Sequence, residues 1–119
     1  MLKPIIIGED ALTSLKASIQ DLSPSQILVL TDEHTSVDCY PLLAAFLPKH
    51  VHHRIPAGEI HKNLNTSNFI WQILTTYRFD RKGLVINLGG GVLGDMGGFV
   101  AATYKRGIRF IQVPTTLLA

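Results

Sequence analysis

Short apolar runs alternate along the chain with longer stretches whose apolar positions recur every three or four residues. Ile27-Leu28-Val29-Leu30 and Leu84-Val85-Ile86-Asn87-Leu88 are of strand length and almost wholly apolar, the pattern of strands buried on both faces. Residues 4–8, 51–55 and 109–113 predict three more strands. Glu9-Asp10 opens a helix with Leu12, Leu15, Ile19 and Leu22 on one face, acid at its start suiting the helix dipole. Ser23-Pro24-Ser25 breaks it. Pro41 fits the first turn of a short helix carrying Leu42, Leu43, Phe46 and Leu47, which Pro48 ends. Asn65-Thr66-Ser67 offer capping groups for a helix through Tyr77, with Phe69, Ile70, Ile73, Leu74 and Tyr77 as its inner face. A last helix runs from the glycines after Leu88 to about Tyr104. Repeated strand–helix units predict an α/β fold: a doubly wound, mainly parallel sheet with flanking helices. No internal repeat or low-complexity tract interrupts it.

Composition narrows the picture in three ways. The 119 residues make one domain at most, and 46% of them are apolar, enough for a real core. The formal charge of +2 is small and scattered, so nucleic acid is not an expected partner. No run approaches a membrane span and no signal layout opens the chain, so a cytoplasmic location and no membrane contact are expected. Cys39 is the single cysteine; it excludes an internal disulfide framework and reads as a small buried hydrophobe. The chain ends on an apolar run, Leu117-Leu118-Ala119, and is expected to be cut from something longer.

The richest chemistry lies in Gly89-Gly90-Gly91-Val92-Leu93-Gly94-Asp95, between a buried strand and a helix. That layout brings bare backbone N–H groups up to a phosphate. The spacing satisfies G-x-G-x-x-G, but the next strand ends in Pro114-Thr115-Thr116 and carries no ribose-binding acid, so the standard dinucleotide pattern is incomplete. The turn either binds phosphate or lets strand and helix pack closely. In doubly wound sheets, ligands sit at the carboxyl ends of the strands, where strand order reverses. Asp32, the Gly58-Glu59 turn, the glycine turn with Asp95, and Thr115-Thr116 should converge on that rim.

Each candidate has an ordinary alternative. Asp32 accepts ribose hydroxyls or an adenine amine, or caps the segment after it. Glu59 and Lys62 hold ribose hydroxyls as a neutral pair, or are a solvated loop pair. Asp95 caps its helix or takes a ribose hydroxyl. Gly97-Gly98 marks close backbone approach, to a ligand or to the sheet. Thr115 and Thr116 donate hydroxyls into the crevice or serve the turn. Arg106, in Lys105-Arg106-Gly107, offers a phosphate-binding fork or complements a helix end. The five histidines lack metal-ligand spacing; His52 and His53, adjacent in a strand, should point to opposite faces.

These residues together spell a family. The run from Gly89-Gly90-Gly91-Val92-Leu93-Gly94-Asp95-Met96-Gly97-Gly98-Phe99 to Tyr104-Lys105-Arg106-Gly107-Ile108, then Gln112-Val113-Pro114-Thr115-Thr116-Leu117-Leu118-Ala119, closely resembles the dehydroquinate synthases of the shikimate pathway. Thr31-Asp32-Glu33 and Gly58-Glu59-x-x-Lys62 resemble that family's cofactor motifs. The resemblance implies a Rossmann-like, NAD-binding N-terminal domain. Asp32, Gly58, Glu59 and Lys62 then hold the adenosine half. Gly90, Gly91, Val92, Leu93, Gly94 and Asp95, with Thr115 and Thr116, hold the diphosphate and its neighbouring ribose. Arg106 is implied to reach the substrate phosphate of a neighbouring subunit in a homodimer. The whole enzyme of this family turns 3-deoxy-D-arabino-heptulosonate 7-phosphate into 3-dehydroquinate and phosphate with catalytic NAD and a divalent metal, zinc or cobalt.

The family continues past the position of Ala119 with a lysine-bearing segment and a helical domain whose glutamate and two histidines bind the metal. Those positions are absent here. The resemblance therefore implies a cofactor domain over residues 1–119, without metal ligands or catalytic residues of its own and inactive alone. Another sugar-phosphate cyclase, such as a deoxy-inosose synthase, and a stand-alone nucleotide-binding module are the competing readings.

Overall fold

The computed structural model describes residues 2–3, 11–56, 58 and 62–113. Five parallel strands form one sheet: β1 (Leu2–Lys3), β2 (Ile27–Thr31), β3 (Val51–Arg54), β4 (Leu84–Leu88) and β5 (Arg109–Val113), in the order β1-β5-β4-β2-β3. The helices are α1 (Ala11–Leu22), α2 (Thr35–Asp38), α3 (Tyr40–Ala44), α4 (Leu64–Thr76) and α5 (Gly91–Thr103), with a 3-10 turn over Tyr104–Arg106. From β2 the chain steps outward to β3, then crosses back over β2 to β4 and on to β5. Strand order reverses between β2 and β4, as the doubly wound expectation requires.

The central strands β2 and β4 are buried at every position. Side chains alternate across a strand, so each serves two cores. Leu28, Leu30 and Val85 face α4 and α5 and join Ile70, Ile73, Leu74, Phe79, Val100 and Phe110. Ile27, Val29, Leu84, Ile86 and Leu88 face α1 and α3 and join Leu15, Ile19, Cys39 and Leu43.

Some expectations cannot be compared with the structure, and others need correcting. The strand over residues 4–8 and the acidic helix start at Glu9-Asp10 lie outside the described residues. The short helix begins with Pro41 in its first turn but ends at Ala44; Leu42 and Phe46 stay exposed, and Leu43 alone of its apolar set is fully buried. In α4, Ile70, Ile73 and Leu74 are buried, whereas Phe69 and Tyr77 are exposed. They flank His53 edge-on at the sheet margin, each with its ring centroid 6.2 Å away. The α4 cap is Asn63, not Asn65: its side chain accepts from Thr66 N–H at 3.0 Å. The helix α2 was implied only by the alternative reading of Asp32 as a helix cap, with no bounds given.

Candidate functional site

Register brings the site together. Thr31 pairs with Arg54 on one side and Leu88 on the other, and Leu88 pairs with Val113, so β3, β2, β4 and β5 end level at one rim. Asp32 and Gly89 therefore leave the sheet side by side where strand order reverses. Helix α5 starts at the same rim, with Gly90 as its N-cap in an extended conformation. The first intrahelical bond there is Gly94 N–H to Gly90 C=O at 2.9 Å. The N–H groups of Gly91, Val92 and Leu93 precede it and have no intrahelical acceptor.

The glycines of this turn fall into two groups. A Cβ added at Gly89 would lie 2.7 Å from Leu93 Cδ2, at Gly94 2.5 Å from Gln112 Oε1, and at Gly97 2.8 Å from Asn87 Oδ1. Packing alone explains those three. At Gly90 and Gly91 an added Cβ meets nothing within 4 Å among the described residues. Both are exposed, and neither has a positive φ. Neither packing nor backbone angle requires glycine at these two positions.

Beside the start of this turn stands Asp32, whose two oxygens have different surroundings. Oδ1 accepts from His34 N–H at 2.9 Å and Thr35 N–H at 2.8 Å, capping α2. Oδ2 points toward Gly89, 3.5 Å from where a Cβ there would stand. Capping uses one oxygen and leaves the other at the crevice, so the two readings of this residue are compatible.

Of the remaining candidates, Leu93 is buried and its side chain belongs to the core, so only its backbone faces the rim; Val92 is half-buried. Asp95 does not cap α5. It lies a full turn in, and its Oδ2 meets Lys62 Nζ at 2.9 Å, with both side chains largely exposed. That ion pair links the loop after β3 to α5 above the rim. Gly58 is exposed with φ 103°, a backbone angle that glycine adopts freely. Glu59, Thr115 and Thr116 lie outside the described residues; Thr115 and Thr116 follow Val113, which ends at the rim.

Arg106 is not brought to this rim. It lies beyond the carboxyl end of α5 and before β5, at the opposite edge of the sheet, and is exposed. Lys105 and Arg106 both take positive φ, 46° and 69°, followed by Gly107 at 108°. Two consecutive non-glycine residues in the left-handed region make a strained corner.

The histidines go to separate places. His52 stacks on Tyr40, ring centroids 3.7 Å apart, and its Nε2 lies 2.8 Å from Thr31 Oγ1. His53 points to the other face, against Phe69 and Tyr77. Burial is the first cause that holds the His52 pKa below its ordinary value; His50, His53 and Arg54 add to it. Burial likewise raises the Cys39 thiol, with Asp38 and Asp32 adding to the effect.

Sequence reasoning missed three residues that build the site. Thr35 Oγ1 donates to Leu88 C=O at 2.9 Å. Gln112 donates from Nε2 to Gly89 C=O at 3.0 Å. Asn87 is fully buried, and its amide lies 3.1 Å from Gln112 Oε1, beneath the turn. One signal was available: Asn87 is the lone polar residue in its strand, and a buried polar group needs a partner.

Residues 52–119 match the 3-dehydroquinate synthase N-terminal family. The chain is 44% identical over 121 residues to the 3-dehydroquinate synthase of Ruthia magnifica subsp. Calyptogena magnifica, covering 98% of this chain and 33% of that protein. Its fold is similar to 2-deoxy-scyllo-inosose synthase complexed with carbaglucose-6-phosphate, NAD+ and Co2+, with TM-score 0.82, 26% identity, and 92% of this chain and 31% of that one covered. It is also similar to 2-epi-5-epi-valiolone synthase from Streptomyces hygroscopicus subsp. jinggangensis with NAD+ and Zn2+ bound, with TM-score 0.75, 25% identity, and 93% and 32% covered. The chain spans about a third of the length of the relatives it matches.

Proposed function

The chain belongs to the 3-dehydroquinate synthase N-terminal family, and from that premise we propose that it is the NAD-binding domain of a 3-dehydroquinate synthase. The carrying observation is the pair of open glycines at the α5 N-terminus, directly after Gly89, toward which Asp32 Oδ2 points where strand order reverses. Bare N–H groups and a helix dipole suit a diphosphate, and a carboxylate beside them suits ribose hydroxyls. The residues fit NAD on chemistry as well as on kinship.

In this reading the N–H groups of Gly90, Gly91, Val92 and Leu93 surround the diphosphate, and Gly94, whose own N–H closes the first helical turn on Gly90 C=O, contributes only its lack of a side chain. Asp32 Oδ2 and the loop of Gly58, Glu59 and Lys62 take the adenosine half. Asp95, Thr115 and Thr116 hold the inner ribose. Bound NAD supplies a hydride acceptor that later returns the hydride. The protein's own part is to bind the cofactor, orient it and exclude water beneath it, which the buried Leu93 and Asn87–Gln112 floor does. The divalent metal finds no fit here: among the described residues no three His, Cys, Asp or Glu side chains converge. Its ligands, and the groups that handle the phosphorylated sugar acid, belong to the rest of a longer protein. Arg106 stands at the edge of the sheet opposite the crevice. It acts on a substrate phosphate in a neighbouring copy, which makes the working enzyme a homodimer. No helix among the described residues is long and apolar enough to cross a membrane, and a cytoplasmic site of action fits a pathway of small phosphorylated metabolites. The 44% identity to a dehydroquinate synthase, against 26% to the inosose synthase, favours the first over its sister cyclase.

Gly91→Val in the full-length protein tests the reading. Its isopropyl group would enter the open space where the diphosphate lies. We expect no NAD binding detectable by calorimetry, with an unchanged circular dichroism spectrum. Normal NAD binding by that variant would reduce the turn to a packing device.

A further inference from the structure

The ladder between β2 and β4 ends at the pair Thr31–Leu88, and beyond it the two walls of the crevice separate. One side chain still joins them. Thr35 is 4% exposed and its hydroxyl is used in both senses: it accepts from Asp32 N–H at 2.9 Å and donates to Leu88 C=O at 2.9 Å. Its own N–H donates to Asp32 Oδ1 at 2.8 Å. Asp32 is thus gripped at its backbone and at one carboxylate oxygen by the same residue, which is itself anchored to the residue preceding Gly89. The other oxygen, Oδ2, is left facing the glycine turn.

The geometry points to Thr35 as a positioning residue for the cofactor site: its hydroxyl fixes the Asp32 carboxylate at a set distance from the glycine turn. This rests on the NAD reading above. Its physical basis is that a group holding a ligand is effective only when its own rotamer and backbone are locked before the ligand arrives. Without the hydroxyl, the Asp32 N–H and the Leu88 carbonyl lose their shared partner, and the β2 loop is free to move away from β4.

The test uses the full-length protein with Thr35→Val, which keeps the shape and removes both hydroxyl bonds, and Thr35→Ser, which keeps the bonds. NAD affinity is measured by calorimetry, and kcat at saturating NAD alongside it. Thr35→Val should weaken NAD binding about tenfold, leave kcat at saturation within about twofold, and be rescued by Thr35→Ser. In an Asp32→Ala background Thr35→Val should cost almost nothing further, because Thr35 acts through that carboxylate. Should Thr35→Val fail to fold, Thr35→Cys, of similar size with only a weakly bonding thiol, carries the same expectation. Thr35→Val with a lowered melting temperature and wild-type NAD affinity would overturn the proposal, and so would an undiminished penalty in the Asp32→Ala background. If Asp32→Ala itself binds NAD normally, the cofactor role of Asp32 fails, and the positioning role with it. Loss of NAD by Asp32→Ala but not by Thr35→Val defeats the positioning role alone.

Discussion

Gly97 and Gly98 are neighbours in α5, yet a methyl group at each would meet different surroundings. At Gly97 it would lie 2.8 Å from Asn87 Oδ1 and 3.2 Å from Phe110 Cε1, both in packed interior. At Gly98 its nearest contact is Phe110 Cε2 at 3.7 Å, an ordinary distance. Gly97→Ala should therefore destabilise the chain by about 1–3 kcal/mol through overpacking. Gly98→Ala should stabilise it by about 0.5–1 kcal/mol, because alanine costs a helix less backbone entropy. Urea unfolding of the two variants checks the contrast. From sequence, this pair signalled close approach but not to what; the structure answers with the sheet for Gly97. The answer was illegible because it depends on Asn87, a residue of another element whose side chain fills the missing methyl's place.

At the scale of elements, helices and strands were legible wherever a periodic apolar pattern ran long enough, and their ends were not. The start of α4 shows why. Three capping residues stand in a row at 65–67, but the chain turns at Asn63, whose extended backbone lets its side chain reach Thr66 N–H. Asn63→Ala should cost about 1 kcal/mol, whereas Asn65→Ala, inside the helix and exposed, should change little; thermal unfolding separates them. The extent of helix α2 was illegible because four residues show no period. At its start Asp32 Oδ1 accepts from His34 and Thr35 N–H, a local arrangement, and Thr35 Oγ1 ties it to Leu88 C=O in another strand. Phe69 and Tyr77 have helical spacing with the buried face of α4, but they sit at the sheet margin, where β3 is the last strand and His53 is what they meet.

The whole molecule carries a pH dependence through that same margin. His52 is held between Tyr40 and Thr31, with His50, His53 and Arg54 nearby, and its pKa in the folded chain lies below the ordinary value of 6.5. A depressed basic group binds protons more readily unfolded than folded. Its contribution is thus intact above about pH 6.5 and is lost as pH falls below it. The urea midpoint should drop between about pH 7.5 and pH 5.5. His52→Gln, which keeps a hydrogen-bonding amide near Thr31 Oγ1 and cannot titrate, should show a flatter profile than the unaltered chain. At this scale the sequence was most informative: alternation of strand and helix implied a parallel doubly wound sheet, and with it the rim where Asp32 and the glycine turn meet. The far-edge placement of Arg106 follows from the same alternation, since a crossover helix between parallel strands carries the corner after it to the opposite edge; only its backbone strain needed the structure.

The strand order also has a consequence in time. The bond from Thr35 to Leu88 joins residues 53 apart in the chain, and the β2–β4 ladder beside it joins others as distant. Local bonds such as those between Asp32 and Thr35 shape each wall, but nothing local to either wall sets the crevice between them. It comes into being only when the second half of the chain has found the first, after the entropy of closing that long loop has been met. A nascent chain with β2 and β3 already paired still has no floor for a phosphate. Any ligand of the crevice therefore binds the finished fold and stabilises the whole sheet by mass action, acting as a late clasp on the slowest contacts to form.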